Sequence, residues 1–336
     1  MNTDILPIAQ ENLEKLTQFK LEIGEREKYI QDGHQADAKV KLHLPDEILE
    51  FFAEIKKEVR THQLPRIFEL AKNNKPFLLI GGQIFPNIKE KLKDKGINWI
   101  DGAGNMYIRT KDHFLFLDHN ETFHIRTERD RAFTKTGLKV VFLFLLDEEW
   151  IQKTYREIAE AADVALGTIG YVINGLKKRK YLVKKDDKNY QLVHKDELID
   201  EWIAAYETEL KPKLHKGNFA FIDEEQAADW KNIVLDDKTV WGGEAGAELL
   251  TGMLRPQVLT LYTPYDRGNI MKKFRLKPDP DGMVQVYEPF WNIEEGKETA
   301  PPLAIYADLI LTGDERNFKI AKKILSKYLN SISTIK

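Results

Sequence analysis

Thr154 to Val193 reads TYREIAEAADVALGTIGYVINGLKKRKYLVKKDDKNYQLV. Thr154 stands three residues before Glu157, the spacing of a capping box in which each side chain satisfies a backbone N–H of the other at a helix start. Ile158, Ala161 and Ala162 give the helix that follows an apolar face, and Asp163 and Val164 fall at a turn. In a second helix Ile169, Val172, Ile173 and Leu176 recur at helical spacing, so two short helices share one buried seam. Leu166, Gly167, Thr168, Tyr171, Asn174 and Lys177 turn away from it, as the residues of a recognition helix turn toward a major groove. Leu182, Tyr190 and Leu192 then flank a polar reversal at Lys184-Lys185-Asp186-Asp187-Lys188, which reads as a β-hairpin wing. The stretch predicts a winged helix-turn-helix facing double-stranded DNA, with Thr168, Tyr171 and Asn174 as base-edge candidates.

Charge agrees with that placement. From Tyr171 to Lys195 eight Lys or Arg (Lys177, Lys178, Arg179, Lys180, Lys184, Lys185, Lys188, Lys195) face two Asp, a local +6 in a chain of net −3. Such a patch neutralises phosphates and makes binding salt-dependent. Taken alone, Lys-Lys-Arg-Lys would read as a solvated helix C-terminus complementing the helix dipole.

The 336 residues suffice for two or three domains. With no Cys there are no disulfides, thiolate metal sites or cysteine nucleophiles. The longest apolar run, Val140 to Leu146, is too short for a bilayer, and Met1-Asn2-Thr3-Asp4 does not open a signal peptide, so a cytoplasmic protein without membrane contact is expected.

The expected class is a multidomain α/β chain. Residues 1–62 form an N-terminal helical region, read from helical spacing of Leu13, Leu16, Phe19 and Leu21 and of Ile48, Leu49, Phe52 and Ile55, with a break at Gln31-Asp32-Gly33-His34. Residues 63–130 form a small α/β domain, with strands at Phe77 to Gln83, Ile97 to Asp101, Met106 to Arg109 and Phe114 to Leu117 and a helix at Pro86 to Lys95. Its tail, Glu121 to Arg131, reads as a polar connector. The winged helix spans 131–197 and includes a lead helix, Leu138 to Leu146. Residues 198–336 form a C-terminal α/β domain, entered by a long polar helix, Asp196 to Leu210, and closed by helices Pro302 to Leu311 and Asn317 to Tyr328 around a Thr312-Gly313-Asp314 turn.

Catalytic constellations are incomplete. A metal-dependent nuclease in the first α/β unit would draw on Glu69, Asp101 and Asp118, but Tyr107 and Arg109 stand where a carboxylate and a Lys are wanted. Asp101-Gly102-Ala103-Gly104-Asn105 reads better as a turn. Gly242-Gly243 opens a helix as nucleotidyltransferase glycines do, but the next strand, Leu259 to Thr263, lacks the carboxylate pair that would hold Mg²⁺, with only Asp266 beyond it. Close packing through Gly242, Gly243, Ala245, Gly246 and Ala247 is the preferred reading. His113, His119 and His124 lack the spacing of metal ligands. No cofactor, metal site or catalytic residue is predicted.

Three stretches together resemble the type IV toxin–antitoxin antitoxins of the abortive-infection AbiEi family: Leu92 to Ile108, Ala132 to Leu182, and Trp241 to Tyr262 with Pro302 to Arg316. The resemblance runs from about Leu64 to Tyr328. It implies a winged helix that binds promoter repeats of its own operon, and a non-catalytic nucleotidyltransferase-like domain that antagonises a nucleotidyltransferase toxin. By position it puts DNA reading on Gly167, Thr168, Tyr171 and Asn174, with wing contacts from Lys184, Lys185 and Lys188; Lys177, Lys178 and Arg179 complete the expected DNA-binding set. Many members carry the winged helix near the N-terminus, whereas an α/β unit precedes it here. The sequence thus predicts a DNA-binding transcriptional regulator with no enzymatic activity. A nuclease or nucleotidyltransferase targeted by the winged helix, and a protein-interaction scaffold, are the competing readings.

Overall fold

Alternation, not helical spacing, governs residues 38–59. Phe51, Ala53 and Ile55 are buried on one side of an extended run, while Phe52, Glu54, Lys56 and Glu58 face the other. The computed structural model describes residues 5–24, 29–31, 34–119, 131–186 and 189–329, and divides the chain into two compact units, Met1–Thr127 and Glu128–Lys336.

The first unit runs α1 (Ile5–Thr17), β1 (Lys20–Ile23), β2 (Tyr29–Gln31), β3 (His34–Ala36), β4 (Ala38–His43), β5 (Ile48–Val59), α2 (Leu64–Asn73), β6 (Phe77–Ile84), α3 (Pro86–Asp94), β7 (Asn98–Asp101), β8 (Met106–Arg109) and β9 (Phe114–Leu117). Its seven-stranded sheet has the order β1-β4-β5-β6-β7-β8-β9. The β5–β6 and β6–β7 pairs are parallel, joined through α2 and α3, and the outer pairs are antiparallel. Leu6, Ala9 and Leu13 of α1 pack on Val40, Phe51, Ile55, Leu78 and Ile100. On the opposite face Ile67, Leu70, Ile88 and Leu92 pack on Leu79, Trp99 and Tyr107.

This corrects the expected helical N-terminal region. Among the described residues the one α-helix there is Ile5–Thr17, and β1, β4 and β5 are integral to the sheet that was expected to begin after residue 63. The apolar residues of 48–59 satisfy both periods over a short window, and pairing with β4 and β6 selects the strand. The connector expected at Glu121 to Arg131 lies outside the described residues except for Arg131.

Among the described residues of this unit, two groups of charges are built around buried ionisable side chains, Lys89 with Asp101 in one and Glu54 in the other. Lys89, buried on α3, meets Asp101 Oδ2 at 2.8 Å and Asp118 Oδ1 at 3.1 Å. Asp101 also accepts the Ala103 and Asn105 N–H groups and the Asn105 side-chain amide at 2.8–3.0 Å. The glycine-rich motif is therefore a turn: Gly104 has φ 87°, and a Cβ there would stand 2.9 Å from the Asn12 backbone on α1. Asp101 and Asp118 converge on a lysine, so the nuclease triad suggested by Glu69, Asp101 and Asp118 is not assembled in that form.

The second group is Asp37, Glu54 and Lys56. Glu54 is 3% exposed, and its Oε1 lies 3.0 Å from Lys56 Nζ. Asp37 is exposed as a residue, but its carboxyl turns inward to accept the Ile55 N–H at 2.8 Å. Loss of water around that end, reinforced by Glu54, pushes it up to about 6 against the pull of Ile55, Lys56 and Arg66.

The second unit begins with α4 (Lys135–Leu146), α5 (Tyr155–Ala161), α6 (Leu166–Lys178), a hairpin of β10 (Leu182–Lys184) and β11 (Tyr190–Leu192), and α7 (Lys195–Ala205). There follow α8 (Lys211–Leu214), β12 (His215–Phe221), α9 (Glu224–Ala228), β13 (Val240–Gly242), α10 (Gly243–Thr251), β14 (Leu259–Tyr262), α11 (Arg267–Phe274), β15 (Leu276–Pro278), β16 (Val284–Tyr287), α12 (Pro302–Leu311) and α13 (Glu315–Ile324). The five-stranded sheet has the order β13-β14-β16-β12-β15, with only β14–β16 parallel.

The helix expected over 196–210 is not polar all round. Leu198, Ile199, Trp202, Ile203, Tyr206 and Leu210 are buried in one hydrophobic cluster that also takes residues of α4, α6, α10, α12 and α13. Trp202 stacks on Tyr206, ring centroids 4.9 Å apart, and on Phe142 of α4 at 5.4 Å, and its indole N–H donates to the Leu138 carbonyl at 2.9 Å. The Tyr206 and Tyr262 hydroxyls share a 3.1 Å hydrogen bond, and Tyr262 donates to Asp308 Oδ2 at 2.8 Å. Asp308 Oδ1 accepts from Lys211 at 2.8 Å, and Oδ2 accepts the Gly243 N–H at 3.3 Å. Burial opposes the Lys211 charge, but Asp308 and Tyr287 outweigh it and hold its pKa above the ordinary value.

Gly243 has φ 48°, and a Cβ on it would stand 2.5 Å from Thr260 Oγ1; a Cβ on Gly246 would stand 2.8 Å from the Trp241 carbonyl. The glycine run thus serves close approach of α10 to the sheet, as the sequence suggested. Removing the Trp202 ring empties the centre of this cluster, so Trp202→Ala is expected to cost about 3–5 kcal/mol. Urea unfolding of the chain followed by circular dichroism measures it.

Candidate nucleic-acid interface

The Thr154 cap forms as its spacing predicts: Glu157 N–H donates to Thr154 Oγ1 at 3.3 Å, and Thr154 N–H donates to Glu157 Oε2 at 2.8 Å. The Thr154 side-chain and backbone donors hold the Glu157 carboxyl below its usual range. Asp163, at φ 50°, makes the left-handed residue of the turn between α5 and α6, and its carboxylate takes Lys139 of α4 at 3.2 Å. Ile158, Ile169, Val172, Ile173 and Leu176 are buried between α4, α5 and α6.

The remaining face of α6 is open. Leu166, Gly167, Tyr171, Asn174 and Lys178 are exposed, and Thr168 and Lys177 are half-buried at its edges. A Cβ at Gly167 would meet nothing within 4 Å, so packing does not require glycine there. Tyr171 is 54% exposed, with the Arg131 guanidinium 3.9 Å from its ring centre. Gly137 admits this arrangement, because a Cβ there would come within 2.2 Å of the Arg131 carbonyl. A shallow hollow lined by Arg156, Glu160, Asp163 and Leu166 lies at the adjoining turn.

Lys184 and Lys185 are exposed on the hairpin, with Lys184 opposite Tyr190 in its register. Lys188 lies outside the described residues. The hairpin is held from behind. The Gln152 side chain donates to the Tyr190 carbonyl and accepts its N–H at 3.3 Å, and Glu148 accepts the Leu192 N–H at 3.3 Å.

The basic residues therefore differ in what they can do. Arg179 pairs with Glu201 and lies 4.8 Å from the Phe133 ring centre, and Lys195 pairs with Glu148. Lys177 sits 3.9 Å from the Tyr190 ring centre, and its hydrogen bond to the phenol holds Tyr190 below its usual pKa. Lys180, Lys184 and Lys185 carry their charge outward. Arg131, Gln152 and Glu148 were not among the residues expected here; each reaches the site through a tertiary contact that no local spacing announces.

Among the other residues singled out in the sequence, His113 pairs with Glu47, and the His119 N–H donates to Asn105 at 2.9 Å. His124 lies outside the described residues, and among those described no group of three His, Cys, Asp or Glu could hold a metal. Asp266 caps α11 by accepting the Asn269 N–H at 2.9 Å.

Residues 191–330 match a family described as transcriptional regulator, AbiEi antitoxin, type IV TA system. The match begins in β11 and takes in α7 and the C-terminal sheet with its helices. No curated protein and no solved structure matches the chain. Among the described residues no helix is long and apolar enough to cross a membrane.

Loss of the Thr154 hydroxyl leaves the Glu157 N–H at the start of α5 without its acceptor. Thr154→Ala is expected to cost about 1 kcal/mol, with faster amide exchange at Glu157 as the residue-level readout.

Proposed function

We propose that α4, α5, α6 and the β10–β11 hairpin form a winged helix-turn-helix with which the chain binds double-stranded DNA. The observation that carries this reading is the outward face of α6, where Gly167, Thr168, Tyr171 and Asn174 stand beside a hairpin that exposes Lys184 and Lys185. Thr168, Tyr171 and Asn174 contact base edges, while Lys177, Lys178, Lys184, Lys185 and Lys188 neutralise phosphates. Arg179, paired with Glu201, braces the helix end from within reach of the backbone. Arg131, stacked on Tyr171, adds a cation to the base-facing side.

The family match supports the rest of the reading: an antitoxin of a type IV system that binds promoter repeats and represses its own operon from the cytoplasm. The C-terminal sheet is a nucleotidyltransferase-like domain whose partner is a nucleotidyltransferase toxin. Consistent with a non-catalytic role, the Gly243 N–H that would meet a phosphate is bonded to Asp308.

Titration of the chain with DNA from upstream of its own reading frame, across a salt series, tests the interface. Each phosphate contact contributes about 0.9 to the slope of log affinity against log salt, so the Lys184→Ala, Lys185→Ala double variant should lower that slope by about 2. An unchanged slope removes the hairpin from the interface. Asn174→Ala should reduce discrimination between the upstream site and scrambled DNA by about 1–3 kcal/mol, whereas an equal loss on both would make Asn174 a phosphate contact.

A further inference from the structure

We propose that the first unit holds a divalent cation between the carboxylates of Asp37 and Glu54, with Lys56 beside it, and hydrolyses phosphodiesters there. The proposal goes beyond the regulator reading and does not depend on it.

The placement follows from strand register. Ala38 of β4 lies opposite Ala53 of β5, so Asp37 comes opposite Glu54, and its N–H still reaches the Ala53 carbonyl at 3.0 Å. Where β4 begins, the Asp37 side chain continues the ladder by accepting the Ile55 N–H, which turns its carboxyl toward Glu54. Lys56, two residues beyond Glu54, returns to the same face of β5 and meets Glu54 at 3.0 Å. Arg66, on α2 over that face, lies within electrostatic reach of Asp37.

A structural ion pair would need only Glu54 and Lys56. Like charges placed opposite each other across two strands destabilise a sheet, and the second carboxylate is held there against that cost. The Lys89 group in the same unit gives the contrast. There Asp101 is filled by three donors of its own turn as well as by the lysine. Among the described residues, the Asp37 carboxylate accepts one hydrogen bond and Glu54 makes one ion pair, which leaves most of their lone-pair positions available. Two carboxylates completed by water form the hard oxygen set that suits Mg²⁺ or Mn²⁺. Lys56 and Arg66 at the same place favour a polyanionic substrate, which makes phosphodiesters the matching class.

Water bound to the cation held by Asp37 and Glu54 becomes acidic enough to give up a proton to solvent. Its oxygen bonds to phosphorus as the P–O bond to the leaving sugar oxygen breaks, and that oxygen takes a proton from a solvent water. One water is consumed per bond cleaved, giving a phosphomonoester and a hydroxyl. The Lys56 ammonium stabilises the charge gathering on the phosphoryl oxygens.

Mn²⁺ binding by the full chain, followed by electron paramagnetic resonance, and Mn²⁺-dependent cleavage of plasmid DNA, single-stranded DNA and RNA provide the test. Wild type should bind one ion at this site and cleave at least one of the three substrates. Asp37→Asn, which keeps an acceptor for Ile55, and Glu54→Gln should each weaken Mn²⁺ binding by more than about tenfold. Lys56→Ala should keep the ion and lose about 100-fold or more in cleavage rate. Absence of Mn²⁺ binding in wild type, or binding unchanged in both carboxylate variants, overturns the site. Binding at Asp37 and Glu54 without cleavage of any of the three substrates overturns the hydrolysis.

Discussion

The Trp202 ring between Phe142 and Tyr206 couples the helices that present α6 to the sheet that follows them. Its N–H is bonded to Leu138, so the ring is fixed along α4 as well as stacked. Stacked aromatic pairs contribute about 0.5–1.5 kcal/mol beyond their buried area, and here two share one ring. From Tyr206 the coupling passes through Tyr262 to Asp308, a buried carboxylate made tolerable by Lys211, Tyr262 and the Gly243 N–H. The second unit is thus a single packed body, and the outward face of α6 is held in a set relation to α10, α12 and the five-stranded sheet.

That arrangement gives the glycine run near residue 243 a positive explanation. Its absent side chains let α10 lie against β14 and α12, and its backbone N–H group holds Asp308 in the network. The family match covers this part of the unit, while α4, α5 and α6 lie before it. The shared core joins the C-terminal part that the family matches to the upstream helices as one packed piece.

How much was legible in the sequence depended on how local the cause was. The capping box at Thr154, the turn at Asp163, the apolar seam of α6 and the existence of the hairpin are all set within about ten residues, and they could be read directly. The charge of the patch could be counted but not apportioned: Glu201 and Glu148 take Arg179 and Lys195 from distant positions in the chain. In residues 48–59 helical spacing and strand alternation coincide, and long-range pairing decides between them. On a helix, Glu54 and Lys56 diverge, and neither approaches Asp37. On a strand they share a face, and pairing with β4 brings the aspartate opposite. An error of period therefore concealed a constellation as well as an element. The polar surface of α7 likewise hid the face that carries Trp202.

The central claim, that the open face of α6 and the lysine hairpin engage DNA, is tested most directly by amide hydrogen exchange of the full chain with and without DNA from upstream of its reading frame. Slowed exchange along Leu166–Lys178 and across the β10–β11 hairpin, at salt concentrations where the complex forms, is the predicted result. A stable complex that leaves both segments exchanging at their free rates would contradict it.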